Sequence, residues 1–233
     1  MNNLSVVLCT FNEELYIKKT LNILIKEKII NEIIIIDDNS EDKTVHIIKK
    51  IKNKKIKLFE RKNIRDFASA LRLGIRKTKN KFVLRFDVDM YSNIYNFIEA
   101  FNKHSKKDCI IFSRYVHKGK DLRGNFRKFS SIFLNMMCRT LLSNKIKDYT
   151  SCIMIFNKKI LKDIVIDNTS YANFIIKFCY FLIIKKKKFI EIPFTQKKIT
   201  ENKSKSAPNV KIFIKHGLMY FLTILECFFI KKN

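Results

Sequence analysis

Glycine and proline are scarce, with four and two among 233 residues. No stretch is rich enough in glycine, serine or proline to serve as a linker dividing the chain, and no internal repeat is visible. Histidine is also sparse. His46, His104, His117 and His216 stand apart from one another, which excludes a histidine-based metal site. The cysteines, Cys9, Cys109, Cys138, Cys152, Cys179 and Cys227, never form Cys-x-x-Cys, and most have apolar neighbours. That excludes a disulfide framework or a zinc site and points to reduced core thiols in a cytosolic protein. The first residues run straight into an apolar strand without a basic region, so no secretory signal is expected. Acidic residues are few, 21 against 48 Lys+Arg, and the net charge is +27. Such an excess fits an anionic partner: nucleic acid, an anionic membrane surface or phosphorylated substrates. It equally fits a composition biased toward Lys, Ile, Asn and Phe, which would scatter the lysines. A basic nucleic-acid-binding protein is the alternative function of a different class. No aromatic-interleaved basic motif or nucleic-acid module accompanies the charge, so no nucleic acid is expected as a partner.

Hydrophobic residues make up 47% of the chain, which excludes disorder and allows a real core. Leu4-Ser5-Val6-Val7-Leu8 reads as a buried strand, and Cys9-Thr10-Phe11-Asn12-Glu13-Glu14 as the turn after it. Asn12 is the expected N-cap of a following helix, with Glu13 and Glu14 in its first turn. Ile33-Ile34-Ile35-Ile36 is apolar on both faces, as in the middle of a parallel sheet, and stops at Asp37-Asp38-Asn39-Ser40. Further strands are expected over 56–59 and 82–86, with helices marked by Val45, Ile48 and Ile51 and by Phe67, Ala68, Leu71 and Ile75. Strand and helix alternate with short connections, the signature of a parallel α/β sheet.

Phe86-Asp87-Val88-Asp89-Met90 follows an apolar run broken by Arg85. At a strand end, period-two alternation places Asp87 and Asp89 on one side of the chain. Two carboxylates so close repel unless a cation lies between them, and oxygen-only ligands suit Mg²⁺ or Mn²⁺ shared with substrate phosphates. The other reading is a polar loop after a strand. Three acidic or polar strand ends, at residues 10–13, 37–40 and 87–89, are expected to converge on one rim of the sheet, where ligands of parallel sheets bind.

Beyond Asn93 the pattern predicts a helix over 94–103, a strand ending at Ser113-Arg114-Tyr115 and a basic mobile loop over 116–128. A helix follows whose Phe129, Ile132, Phe133, Met136, Met137 and Leu141 read as core packing. Strands over 153–156 and 189–194, helices over 158–164 and 171–184, and a flexible polar segment over 197–209 complete this part. A final apolar helix is expected over residues 210–230. Its unbroken apolar tract, 217–225, is shorter than the roughly 20 residues that a bilayer crossing needs. Crossing by 212–230 would require Lys215, His216 and Glu226 to be tolerated. The helix is expected to lie in a membrane interface with lysines on anionic lipid, or to dock on the core.

Several motifs share one order and spacing with a known family. They are Val6-Val7-Leu8-Cys9-Thr10-Phe11-Asn12-Glu13, Ile35-Ile36-Asp37-Asp38-Asn39-Ser40-Glu41-Asp42-Lys43-Thr44, and Ala68-Ser69-Ala70 with Gly74. Asp87-Val88-Asp89, Ser113-Arg114-Tyr115, Arg127-Lys128 with Ser130, Asp148-Tyr149-Thr150-Ser151, Glu191-Ile192-Pro193-Phe194 and Ser204-Lys205 follow. Together they resemble glycosyltransferase family 2, in its dolichyl- or polyprenyl-phosphate sugar synthase branch, over about residues 4–229.

The resemblance implies a GT-A (nucleotide-diphospho-sugar transferase) fold over 1–209, with a nucleotide-sugar-binding half at 1–93 and an acceptor half at 94–209. Residues 210–233 form the interfacial helix. Cys9, Phe11, Glu13, Ile36 and Asp38 would hold base and ribose, and Asp87-Val88-Asp89 the diphosphate through a metal on the two aspartates. Asp89, Arg114 and Arg127 would be the catalytic set, with Arg114, Arg127 and Lys205 facing phosphates. On residue type alone Arg114 also reads as a solvated loop arginine, Lys205 as one lysine of a lysine-rich tail and Asp38 as a helix cap. The implied reaction is metal-dependent inverting transfer of mannose or glucose from GDP-mannose or UDP-glucose to polyprenyl or dolichyl phosphate. The implied location is cytoplasmic, peripheral on the cytoplasmic face of a membrane. A lipid or glycan hydroxyl is the alternative acceptor, and Asp148 would then be the candidate base. The chain departs from the family pattern at Cys9 for Pro, Phe11 for Tyr, Asp66 for Gly, Tyr91 for Gln or Ser, and Cys152-Ile153-Met154 for Gly-Phe-Arg. It departs again at 198–202, where only Lys198 and Asn202 remain of Arg-x-x-Gly, and at Tyr171-Ala172-Asn173-Phe174, where a Glu is usual.

Overall fold

Apolar residues in alternating short runs and helical periods fold here into alternating strands and helices. The computed structural model describes residues 3–62, 64–162, 172–197 and 210–230. In order they form β1 (Leu4–Thr10), α1 (Ile17–Lys26), β2 (Ile30–Asp37), α2 (Thr44–Lys50), β3 (Ile56–Glu60), α3 (Phe67–Lys77) and β4 (Phe82–Arg85). A 3-10 turn (Val88–Asn93) leads to α4 (Ile94–His104), β5 (Cys109–Ser113), the short β6 (Lys120–Asp121), α5 (Asn125–Leu141) and β7 (Met154–Asn157). A second 3-10 turn (Lys158–Lys162) precedes α6 (Phe174–Ile184), β8 (Phe189–Pro193), the short β9 (Thr195–Gln196) and α7 (Val210–Ile230). Seven strands form one sheet in the order β3-β2-β1-β4-β7-β5-β8, and β6 pairs with β9. Within the large sheet every pairing is parallel except those of β7, which runs antiparallel to β4 and β5.

Period-two alternation splits the central strands between two cores. Val7, Ile34, Ile36 and Val83 face one layer, with α3, α6 and part of α7. Val6, Leu8, Ile33, Ile35 and Leu84 face the other, with α1 and α4. Both faces are covered, so these strands are apolar throughout. Helix α3 lies close against β1 because Gly74 has no side chain: a Cβ there would sit 2.5 Å from Val7 Cγ1.

Several expectations need correction. Asn12 is not an N-cap: α1 begins at Ile17 with Tyr16 at its cap. Asn12 instead takes a left-handed backbone (φ 54°) and accepts a hydrogen bond from the Glu41 N–H at 2.8 Å. Strand β4 stops at Arg85, and Asp89 sits in the first turn of the 3-10 segment. Strand alternation therefore puts Arg85 and Asp87 on one side, and Asp89 reaches its position by the turn. The expected loop over 116–128 is shorter, because β6 pairs with β9 and α5 starts at Asn125.

Helix α5 is the largest departure. It buries Ser131, Asn135 and Cys138; of the residues read as core, Met137 and Leu141 pack against it, while Phe129, Phe133 and Met136 are exposed. The expected helices over 158–164 and 171–184 appear as 158–162 and 174–184; residues 163–171 and the expected flexible stretch 198–209 lie outside the described residues. Helix α7 is continuous, and Lys211–Ile230 is long and apolar enough, by length and composition, to cross a membrane. It also docks on the core through Ile224 and Cys227, with Lys177 paired to Glu226 at 2.6 Å.

The close approach at Gly74 generates a stability test. Gly74→Val should lower unfolding stability by roughly 2 kcal/mol, as overpacking forces α3 from β1. A urea midpoint equal to wild type would show that the contact relaxes freely.

Candidate active site

Strands β2, β1 and β4 are adjacent and parallel, so the polar segments after them meet on one rim. The first two are stitched together. Thr10 Oγ1 donates to Asp37 Oδ2 at 2.7 Å, and Ser40 Oγ donates to the same oxygen at 2.7 Å. The Asn12 N–H donates to Ser40 Oγ, the Glu13 N–H to Thr44 Oγ1 and the Glu14 N–H to Asp42 Oδ2. The Lys43 N–H returns a bond to Glu14 Oε2. The two loops thus satisfy each other's backbone groups and form one rigid wall.

Asp38 stands in that wall, but it caps no helix. Arg61, just beyond β3, grips it with Nε–Oδ1 and Nη2–Oδ2 contacts, both 2.7 Å. The same guanidinium donates to Ser69 Oγ and the Asp66 carbonyl. Asp66 caps α3 by accepting from the Ser69 N–H at 2.9 Å. Phe11 lies at the rim with the Arg65 guanidinium over its ring at 3.6 Å. Glu13 is half-buried in the adjoining loop. Burial pushes the Cys9 thiol up to about 12 against the opposing pull of Arg85, so Cys9 is a neutral wall residue at physiological pH. Ile36 is not a wall residue by its side chain, which is fully buried against α3. Val88 is likewise core, and its carbonyl accepts from Thr20 Oγ1 at 2.7 Å.

At the end of β4, Asp87 and Asp89 are half-buried. Arg85, buried itself, pairs with Asp87 Oδ1, donates to the Cys152 carbonyl at 2.8 Å and packs 4.5 Å over the Phe67 ring. Burial disfavours the Arg85 cation, but Asp87 outweighs it and holds the group above the ordinary arginine range. Among the described residues no cluster of three or more His, Cys, Asp or Glu side chains can hold a metal ion. Two aspartates offering oxygen alone suit a hard divalent ion that takes its remaining ligands from phosphate and water. The donor set of Asp87 and Asp89 therefore fits Mg²⁺ or Mn²⁺ shared with a diphosphate.

Arg114 follows β5 on the same rim, since β5 runs parallel to β4 with β7 reversed between them. It is not a solvated loop arginine. It is buried, with Nε and Nη2 donating to Asp148 at 2.8 and 2.7 Å, Nη2 also to Thr150 Oγ1 at 2.7 Å, and Nη1 to Gln196 at 3.2 Å. Asp148 is fully buried and bound through both oxygens, so it cannot serve as an exposed base. Glu191 holds this loop by accepting from the Lys147 and Asp148 N–H groups at 2.7 and 3.0 Å; its carboxyl is raised by burial, opposed by those bonds, with Asp148 adding to the rise. Arg127 lies in the first turns of α5, half-buried. Lys205, Lys198 and Asn202 lie outside the described residues.

Arg61 and Arg65 escape notice in the sequence, and Arg85 appears there only as a break in an apolar run. The signal for Arg85 was present, as a charge two residues before Asp87 inside an apolar run. Arg61 and Arg65 carry no such mark, because basic residues abound throughout the chain.

The sequence model described as glycosyl transferase family 2 matches residues 5–165. The chain is 27% identical over 171 residues to a poly-beta-1,6-N-acetyl-D-glucosamine synthase of Staphylococcus epidermidis, a match covering 70% of this chain and 42% of the relative. It is 29% identical over 175 residues to a poly(ribitol-phosphate) beta-N-acetylglucosaminyltransferase of Staphylococcus aureus, covering 70% of this chain and 29% of the relative. The chain thus spans less than half the length of these relatives. Glucosyl-3-phosphoglycerate synthase from Mycobacterium tuberculosis, solved with uridine diphosphate, superposes with a TM-score of 0.72 at 12% identity, over 97% of this chain and 80% of that one. Structures of the same synthase hold Mn²⁺ or Mg²⁺ with uridine diphosphate. The likeness establishes the GT-A fold for this chain.

Two measurements probe the rim. Asp148→Asn leaves the Arg114 cation buried without its partner, and unfolding stability should drop by about 3–5 kcal/mol; an unchanged denaturation curve would show that Asp121 and Gln196 suffice. Asp121 sits between Arg123 at 2.7 Å and Arg114 at 3.7 Å. Burial works against its charge, but Arg123 and then Arg114 prevail and lower it from 3.8 to about 2. Because folding favours the ionised form, this contribution is complete above pH 3.8 and disappears as pH falls through about 2. Stability of Asp121→Asn should therefore fall less steeply than wild type across that window in acid titrations followed by circular dichroism.

Proposed function

The chain belongs to glycosyl transferase family 2, and from that premise we propose that it is a metal-dependent inverting hexosyltransferase using a nucleotide sugar. The acceptor is polyprenyl or dolichyl phosphate, the sugar mannose or glucose, and the donor GDP-mannose or UDP-glucose. The observation that carries the acceptor class is the burial of Asp148 under Arg114. A hydroxyl acceptor needs a base to take its proton, and the carboxylate expected in that role is occupied. A phosphate acceptor is already an anion and needs none.

In this reading the wall of Phe11, Glu13, Asp38 and Cys9 seats the nucleoside, with Arg65 over Phe11 closing it from above. Asp87 and Asp89 hold Mg²⁺ or Mn²⁺, which when bound supplies charge to a leaving diphosphate. Arg85 fixes the Asp87 carboxylate, and the stitched loops keep the rim from reorganising during transfer. Arg127 and Lys205 collect the acceptor phosphate, while Arg114 acts by holding the loop at Asp148. Attack in line with the leaving diphosphate inverts the anomeric carbon. In this reading the enzyme sits peripherally on the cytoplasmic face of a membrane, and the apolar α7 supports the membrane contact. The activities of the two staphylococcal relatives favour a second reading, transfer of a sugar to a polymer hydroxyl.

Labelled UDP-glucose and GDP-mannose, supplied with Mn²⁺ and dolichyl phosphate in detergent, should yield a lipid-soluble labelled product. Asp89→Asn should lower the rate by roughly 10²-fold or more, the scale of losing one electrostatic stabiliser. Label appearing only in a polymeric acceptor would replace the first reading with the second.

A further inference from the structure

Helix α5 packs Leu134, Met137 and Leu141 against the core but turns a second apolar row outward. Its row Phe126, Phe129 and Phe133 has the spacing that a soluble helix normally buries, yet Phe126 and Phe129 are 66% and 67% exposed. At 100° per residue the row lies opposite Ser131, Asn135 and Cys138, which face the core. The polar face is inward because the rim requires it. Asn135 Oδ1 accepts from the Tyr149 N–H at 2.6 Å, Asn135 Nδ2 donates to Thr150 Oγ1 at 2.9 Å, and Ser131 Oγ lies 3.1 Å from that hydroxyl. Helix α7 repeats the arrangement: Ile214, Leu218 and Leu222 are more than half exposed, while Thr223, Ile224 and Cys227 face the core. The rings of Phe126 and Phe213, 4.8 Å apart, join the two helices.

We propose that α5 and α7 together form one surface that docks on an anionic lipid bilayer, with the phenylalanine row of α5 entering the lipid beside α7. The proposal rests on the peripheral-membrane reading of α7 and adds α5 as a second, independent contact. Charge selects the occupant. Helix α5 contains no Asp or Glu, and the single acid of α7, Glu226, is paired with Lys177. Lys128, Lys211 and Lys215 are exposed around the apolar rows. A second copy of the chain would bring these cations against their own kind. Anionic headgroups would neutralise them while the acyl region receives the rings.

The chain contains no tryptophan, so Phe129→Trp and Leu218→Trp each provide a single reporter on a solvent-exposed site. With vesicles of brominated phosphatidylglycerol at low salt, both reporters should shift to the blue and be quenched. In flotation with phosphatidylglycerol vesicles, Phe129→Glu combined with Phe133→Glu should bind about tenfold more weakly than wild type. Quenching at Leu218→Trp alone would overturn the role of α5 and leave the peripheral reading standing. Quenching at neither would overturn both. A blue shift of Phe129→Trp that grows with protein concentration without vesicles would assign the surface to a second copy instead.

Discussion

A guanidinium removed from water must meet an opposite charge, and this structure meets that demand three times along one edge. Arg61, Arg85 and Arg114 stand at the carboxyl ends of β3, β4 and β5, and Asp38, Asp87 and Asp148 hold them. Each pair ties a strand end to another segment or to the turn that follows it. Removing the carboxylate from Arg85 or Arg114 would leave a buried cation that disfavours the folded state by several kcal/mol. The rim is therefore specified by charge pairing as much as by apolar packing. In a chain with so large an excess of cations, acidic groups are the limiting component, and they are concentrated where strands end.

The sheet was legible because its signals are local and redundant. Ile33, Ile34, Ile35 and Ile36 read as a central strand whichever neighbours they have, and both faces are covered as expected. The convergence of three polar strand ends followed from parallel pairing alone. Individual side chains were less legible. Residue type marks Asp38 and Arg114 for a ligand, and the structure shows the protein partner each already has. Such pairs join residues 23 and 34 positions apart, a separation that no period or motif encodes. Asn12 misled for a related reason: a residue type suited to capping is equally suited to a left-handed turn that bonds another loop.

Helix α5 joins the polar network of the rim to the exposed apolar surface. Its hydrophobic period was plain, but the side of the helix that faces inward was decided by Thr150, whose hydroxyl receives Arg114 as well as Asn135. The polar network that shapes the rim thereby turns a row of phenylalanines outward. The shape of the rim and the exposure of apolar surface are consequences of one local arrangement, and a substitution that relaxed the network would alter both.

The reversed strand carries a consequence for biosynthesis. Because β7 is inserted between β4 and β5, a nascent chain that has emerged through β5 possesses two strands whose future neighbour has not been translated. Only when residues 152–157 leave the ribosome does Arg85 acquire the Cys152 carbonyl, and only then can the sheet zip across its middle. Until that moment β1–β4 present an open apolar edge, the kind of surface that chaperones shield and that misassembly exploits. A pause in translation while residues 152–157 are still inside the ribosome would prolong that exposure, whereas a pause after they have emerged would find the gap already closed.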